Sequence, residues 1–293
     1  MAKGRQLKGR IRSVQNTRKI TRTMELVATS KLKRAQDRVV AARPYAEALR
    51  DVIADLITPE LADEFPMLRR PAPPEKGGPT HAAVLLVTSN RGLAGGFNAN
   101  LIREARRRIE ELEGAGYTVD LHIIGKKGIG YFRYIGRSLG LARTDVSDHP
   151  TPEQAAELIA PLVEQYERGE LASVDLVQPR FISPLQTPPT TVRILPVEAP
   201  ESRGGSRPDY LLEPSAAEIL ERLLPLYVRN ALYRGLVELA AGFYGSQRTA
   251  MKNATDNAGE ILEVLRRTYN RQRQAQITQE IAEIVGGAAA LQG

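Results

Sequence analysis

The sequence predicts an α/β protein built as an antiparallel coiled coil of long N- and C-terminal helices with a Rossmann-like α/β domain inserted between them. Three observations lead there. Both ends carry long stretches poor in helix breakers, and the middle alternates short β-rich runs with helical patterns. Two Pro- and Gly-rich stretches separate these parts. The boundaries that follow are 1–57 for the first helix, 58–80 for a linker, 81–198 for the α/β domain, 199–214 for a second linker and 215–293 for the last helix.

From Leu7 to Ile57 there is no Gly after Gly9, and the only Pro is Pro44, where a kink would fall. A helix of this extent is about 70 Å long. Leu7, Ile11 and Val14 follow 4-3 spacing, as do Ile20, Met24 and Val27, and Leu32, Ala35, Val39 and Ala42 resume it. The stripe reads as thin and shifted in register around Arg18, Lys19, Thr21 and Arg22, which suits pairing with one unlike helix better than a symmetric dimer. Residues 58–80 hold six Pro and two Gly and read as a connection without regular structure.

In the middle, strands are expected at Ala82–Thr88, Thr118–Ile124, Leu139–Val146, Val174–Ile182 and Thr191–Val197. Helices are expected at Asn98–Glu113, Lys127–Tyr134 and Pro152–Arg168. This alternation predicts a parallel-rich sheet. The last helix begins where Ser215 and Glu218 stand in capping-box spacing, and no Pro occurs from Leu226 to Val285. Its expected seam is Leu232, Leu236, Leu239, Phe243, Ser246 and Ala250, slim in the middle until Ile261 and Leu265 restore bulk. About 60 to 70 residues of helix extend roughly 90 to 105 Å, nearly twice the ~50 Å width of a compact chain of this size. Two such helices cannot lie inside one globule, so they must bury their stripes mainly on each other.

Composition closes several routes to function. The chain has no Cys and three His (His81, His122, His149), which excludes thiolate chemistry and disulfides and leaves little for a metal centre. No apolar run approaches the roughly 20 residues of a membrane-spanning helix, so a water-soluble chain is expected. The net charge of +7 is uneven, because residues 1–50 contain 14 basic and 3 acidic side chains. That basic end is open to three readings: a solvated helix face, an organellar presequence, or a nucleic-acid arm. No aromatic residue precedes Tyr45, which counts against stacking on single-stranded nucleic acid.

Two glycine-containing turns could hold an anion at a strand-to-helix junction: Ser89-Asn-Arg-Gly-Leu-Ala-Gly-Gly-Phe-Asn98 and Lys126-Lys-Gly-Ile-Gly130. Neither has the order of a P-loop or a dinucleotide fingerprint, and each also reads as an ordinary turn. The histidines stand apart from clustered carboxylates, and no hydrolytic motif occurs.

The most specific signal lies at the two ends. Ser13-Val-Gln-Asn-Thr-Arg-Lys-Ile-Thr-Arg-Thr-Met-Glu-Leu-Val-Ala-Thr-Ser-Lys31 is followed by Ala42-Arg-Pro-Tyr45. Near the other end stand Ala250-Met-Lys-Asn-Ala-Thr-Asp-Asn-Ala258 and Arg273-Gln-Ala-Gln-Ile-Thr-Gln-Glu-Ile-Ala-Glu-Ile-Val-Gly-Gly-Ala-Ala-Ala290. Together with Arg91-Gly92-Leu93 and Tyr210…Glu213-Pro214, these resemble the gamma subunits of F-type ATP synthases, of bacterial type, over nearly the whole chain. The resemblance implies a noncatalytic rotor shaft inside a hexamer of alternating alpha and beta subunits, with epsilon and the membrane ring of c subunits as further partners. It implies catalysis on beta, no cofactor or metal of the chain's own, no nucleic-acid partner, and membrane association only through the complex, on the cytoplasmic face of a bacterial membrane.

The resemblance also assigns a subunit-coupling interface to Met24 on the first helix and to Arg273, Gln274, Thr278 and Glu283 on the last. Chemistry alone would make all but Met24 ordinary solvent-exposed helix polarity. The apolar stretch Ile281–Leu291 fits a hydrophobic bearing. Departures from the family pattern include Ala94 where a Cys often precedes the two glycines, the absence of an inserted Cys-bearing redox segment, and Phe243, Tyr244 and Gln247 in place of the usual Glu-Gln and Arg. The last of these puts an arginine contact near Arg248 in doubt.

Overall fold

The computed structural model describes residues 2–198, 213 and 215–291. In chain order the elements are α1 (Ala2–Leu56), α2 (Pro59–Glu64), a 3-10 turn (Pro74–Lys76), β1 (His81–Val87), α3 (Phe97–Gly114), β2 (Thr118–Ile124), α4 (Lys126–Tyr134), β3 (Ala142–Arg143), α5 (Pro152–Glu167), β4 (Leu171–Pro179), β5 (Pro189–Leu195) and α6 (Ala216–Leu291). The chain divides into two compact units, residues 1–28 with 248–293, and residues 29–247.

Helix starts follow local chemistry. Thr58 caps α2, accepting from the Leu61 amide, and Pro59 supplies the preset backbone of a first helical position. Thr151 and Gln154 form a reciprocal capping box on α5, and Ser215 Oγ accepts from the Glu218 amide at 3.2 Å at the start of α6. α1 and α6 run through Pro44 and Pro225, each giving up one backbone hydrogen bond there. Two expectations need correcting. The 58–80 stretch holds α2 and the 3-10 turn, and it buries Met67 and Leu68. The third strand shrinks to Ala142–Arg143, because only Ile123 and Ile124 of β2 pair with it.

In the unit of residues 29–247 the sheet order is β3-β2-β1-β4-β5, with β5 alone antiparallel. β1 is buried on both faces after His81, as a central parallel strand requires. One face, through Ala83, Leu85, Val87, Val174 and Leu176, joins a core with α5 (Leu158, Ile159, Leu162), α1 (Leu49, Ile53, Leu56) and α6 (Leu220, Leu224, Val228, Leu232). α3 packs on β1, β4 and β5. There the buried Asp175 of β4 accepts from Arg108 Nη2 at 2.9 Å and from Arg193 Nε at 3.1 Å.

In the unit of residues 1–28 and 248–293, α1 and α6 run antiparallel: Thr21 meets Thr255 and Arg18 lies beside Gly259. The seam differs from the expected one. Ile20 and Val27 are exposed, whereas Thr21 and Ala28 are buried. On α6 Ile261 is exposed, whereas Met251, Thr255, Ala258 and Leu262 are buried. Along α1 the positions 11, 14, 18, 21, 25, 28, 32, 35, 39, 42, 46, 49, 53 and 56 form one unbroken 3-4 heptad series. The apparent shift in register arose because three of its members, Arg18, Thr21 and Glu25, are polar, while apolar side chains sit one position away on the outer face.

His122 on β2 is held by a single directed contact, its Nδ1 accepting from the Leu141 amide at 3.0 Å. Its Nε2 therefore carries the hydrogen, and that atom is buried without a partner among the described residues. Burial lowers the imidazole below its ordinary range, with Asp120 opposing more weakly. The folded state thus binds this proton less readily than the unfolded chain, and stability contributed at neutral pH is lost on acidification through the unfolded imidazole value of about 6.5. The stability of the purified chain, measured by denaturant unfolding between pH 7 and pH 5, should fall with a slope that His122→Gln flattens. In the same assay Asp175→Ala should cost about 3 kcal/mol, because it strands two arginines packed against the sheet.

Candidate functional surfaces

The carboxyl ends of β1 and β2, with the turns after them, are where a doubly wound sheet would receive a ligand. Here the amides that open the second turn, and that of Ser89 at the first, are already engaged. Lys126 N donates to Asn90 Oδ1 at 3.0 Å, Lys127 N to Ser89 O at 3.2 Å, and Gly128 N to Thr88 Oγ1 at 3.0 Å. Asn98 Oδ1 accepts from the Ser89 amide at 3.0 Å, closing the first turn on itself. Gly125 is required at the second, for its φ is +108° and a Cβ would lie 2.0 Å from the Thr88 carbonyl oxygen. The remaining cavity is about 30 Å³, lined by Thr88, Gly125 and Asp148 and closed by Leu236, Leu239 and Ala240 of α6. That volume admits one water and no nucleotide. At these strand ends the place of a nucleotide is taken by a helix.

α6 reaches β4, the start of α3 and the loop after β4 through glycines. A Cβ at Gly235 would lie 2.1 Å from Gln178 Oε1, one at Gly242 2.9 Å from Phe97, and one at Gly245 2.9 Å from the Pro184 carbonyl oxygen. Positions 235, 242 and 245 share one helical face, which brings the helix backbone against the side chains of Gln178 and Phe97 and the backbone of Pro184. Glu238, buried on the same helix, accepts from the Phe181 amide at 2.8 Å. The residues that depart from the family pattern are built into this contact: Phe243 meets Phe97 edge to face at 6.3 Å, and the Tyr244 hydroxyl donates to Asp148, which Arg91 also holds.

In the unit of residues 1–28 and 248–293 the surface is strongly cationic, with 14 Lys and Arg against 6 Asp and Glu. The whole surplus of the chain lies here, leaving a net −1 for residues 29–247. Thr255 Oγ1 bonds Thr21 Oγ1 at 2.8 Å and the Met251 carbonyl at 2.8 Å, so the polar pair is satisfied inside the seam. Met24 is half-buried beside that pair. Every described side chain from Asn270 to Val285 is exposed, including Ile277, Ile281, Ile284 and Val285.

Arg273, Gln274, Thr278 and Glu283 all lie on this stretch. Thr278 Oγ1 donates to the Gln274 carbonyl at 3.0 Å, and Glu283 accepts from Gln279 at 2.9 Å. Arg273 and Glu283 line an open cleft with Arg5 and Lys8 of α1. The four form one exposed helical segment, and Met24 lies apart from it on α1. Sequence reasoning missed Thr21 and Thr255, whose signal was the heptad continuing through polar positions. It also missed the joining of Arg91, Asp148 and Tyr244, which no spacing announces across separations of 57 and 96 residues.

A family profile described as ATP synthase matches residues 3–291. The chain is 60% identical to the ATP synthase gamma chain of Gemmatimonas aurantiaca, covering 100% of both, and 41% identical to that of Leptospira biflexa, covering 99% of this chain and 100% of the other. Among solved structures it is similar to a chain of the Euglena gracilis mitochondrial ATP synthase OSCP/F1/c-ring assembly, at TM-score 0.70 and 18% identity over 99% of this chain and 95% of that one. A chain of the rotor of the same enzyme matches at TM-score 0.66 and 17% identity, over 94% and 99%. At such identity these two likenesses speak to the fold.

Because the crevice is filled, adding ATP or ADP to the purified chain should give no saturable heat of binding in the micromolar range and leave its thermal midpoint unmoved. Saturable micromolar binding by calorimetry would restore a nucleotide site at the glycine turns.

Proposed function

The chain belongs to the gamma-chain family of ATP synthases, and from that premise we propose that it is the central-stalk rotor shaft of the F-type enzyme. It couples rotation of the membrane c-ring to ATP synthesis and hydrolysis at the alpha and beta subunits, and it is not itself catalytic. The observation that carries this is the helical segment 270–285, exposed on all sides and studded with Ile and Val. A helix with apolar side chains around an otherwise polar surface needs a surrounding partner to cover them. A sleeve formed by a hexamer supplies one.

The mechanism is a matter of differential contact. One asymmetric shaft meets three otherwise equivalent catalytic sites, and whichever site it favours at a given angle shifts in population toward that state. A change of about 1.4 kcal/mol in such a contact is a tenfold shift in an equilibrium. The seam supports such a shaft, for small and hydroxylated side chains at Thr21, Ala28, Thr255 and Ala258 keep the pair narrow. Met24 supplies an apolar bearing on α1. Arg273, Gln274, Thr278 and Glu283 supply polar contacts on α6 that read the angle.

Epsilon and the c-ring complete the rotor. No described helix is long and apolar enough to cross a membrane, so the chain reaches the membrane through the complex. A bacterial origin of the enzyme puts that complex on the cytoplasmic face.

An affinity-tagged chain expressed with its cognate subunits should bring down an alpha/beta hexamer, and its absence from the eluate would overturn the shaft assignment. Met24→Lys should leave folding intact, by circular dichroism, while lowering proton pumping per ATP hydrolysed several-fold, because it sets a charge at a packed bearing. An unchanged ratio would remove Met24 from the interface.

A further inference from the structure

Within residues 29–247, one cluster ties α6 to three other parts of the chain through directed bonds. Asp148, in the loop between β3 and α5, accepts from both Arg91 of the first glycine turn and the hydroxyl of Tyr244 on α6. Arg91 Nη2 also bonds the Tyr244 hydroxyl at 3.0 Å. Lys31 of α1 stands over the Tyr244 ring at 5.4 Å, and Arg91 lies 5.8 Å from the Phe243 ring and 5.9 Å from that of Tyr244. The loop itself is pinned twice more. Arg38 of α1 donates to the Asp148 carbonyl at 3.1 Å, and Asn90 Nδ2 donates to the Thr144 and Val146 carbonyls at 2.9 and 3.1 Å. Tyr244 is 3% exposed, so its hydroxyl bonds are sheltered from water, whereas the Arg91 side chain is half exposed.

Apart from the buried Glu238 carboxylate, which accepts from the Phe181 amide at 2.8 Å, the other contacts of α6 described above differ in kind. The glycine face and the plug of Leu236, Leu239 and Ala240 hold by close packing, which resists separation but gives little resistance to sliding, since dispersion and apolar burial are not directional. Hydrogen bonds to a charged group are directional and roughly twice as strong as neutral ones. Lys31, Arg34 and Arg38 all bear electrostatically on the neighbouring His149, so Asp148 also supplies negative charge to a crowded cationic corner. Removing its carboxylate leaves Arg91 and these cations facing one another, which loosens the loop as well as the bond to Tyr244.

We propose that Arg91, Asp148 and Tyr244, braced by Lys31, are a torsional clamp that keeps α6 in register with the carboxyl-end loops of the sheet while the shaft turns under load. The inference rests on the rotor function argued above and adds the positioning residues through which the α/β part grips the helix. They touch no substrate. Their effect appears only when torque must pass between that part and the helix, so a clamp and a purely structural contact differ in what they do to coupling. Loss of structure lowers the amount of assembled enzyme, and with it hydrolysis and pumping together. A slipping clamp lowers pumping for each ATP hydrolysed.

The test uses the complete ATP synthase in proteoliposomes, with proton pumping and ATP hydrolysis measured on the same preparation and the amount of this chain per complex quantified. Arg91→Asp or Asp148→Arg alone should lower pumping per ATP about fivefold or more. Asp148→Asn, which removes the charge but keeps the shape and does not add a cation beside Lys31 and Arg38, should lower the ratio less than Asp148→Arg. Tyr244→Phe keeps the ring and its packing and loses only the hydroxyl. It should lower the ratio about twofold, the effect of one modest hydrogen bond, and it carries the test if the charge reversals fail to fold. An unmoved ratio in Tyr244→Phe, or in charge-reversed complexes of normal composition, overturns the clamp alone. Failure of the unaltered chain to assemble with the hexamer overturns the rotor function and the clamp with it.

Discussion

The close approach of α6 to β4, to the start of α3 and to the loop after β4 is the constraint on which the rest of residues 29–247 depends. It exists because three positions on one helical face have no side chain. With Gly235, Gly242 and Gly245 against Gln178, Phe97 and Pro184, the helix backbone sits where side chains would otherwise hold it away. Glycine inside a helix costs roughly 0.5–1 kcal/mol relative to alanine, and here the cost is offset by burial along most of the 236–245 stretch. Once the helix lies that close, Leu236, Leu239 and Ala240 fill the crevice at the carboxyl ends of the strands. A fold that elsewhere holds a ligand at this place holds part of its own chain instead.

That substitution leaves no nucleotide-sized space beside the glycine turns. The amides of Lys126, Lys127 and Gly128 are taken by the Asn90 side chain, the Ser89 carbonyl and the Thr88 hydroxyl, and that of Ser89 by the Asn98 side chain. The same turns leave Arg91 free to reach Asp148 and Tyr244. Local satisfaction and long-range anchoring are thus two outcomes of one loop geometry.

The paired helices of the other unit follow a different logic. Their seam mixes the small and hydroxylated Thr21, Ala28, Thr255 and Ala258 with Met251 and Leu262, and the Thr21 to Thr255 bond places a satisfied polar pair inside it. Such a pair contributes less by burial than leucines would, but it favours one register over its neighbours, as buried polar residues do in coiled coils. Slimness and a defined register are what a shaft inside a sleeve requires. The apolar side chains Ile20, Leu26, Val27 and Ile277 point outward from the seam, as the proposed surrounding partner requires.

Much of this was legible in the sequence, and the residues that escaped share one physical cause. The long helices, the alternation of strands and helices, and the Ser215 start of α6 were visible because helix breakers, period and capping act over a few residues. The family motifs at both ends carried the functional assignment. The seam was misplaced where it is polar: apolarity marks a buried position only when burial is driven by the hydrophobic effect, and Thr21 and Thr255 are buried by their bond to each other. Helix α2 was hidden in a Pro-rich stretch whose first proline in fact starts it. What only the tertiary structure decided is which groups face each other across distance: that α6 and not a nucleotide fills the crevice, and that Arg91, Asp148 and Tyr244 converge. Those pairings depend on the packing of elements far apart in the chain, and no local preference of the residues encodes them.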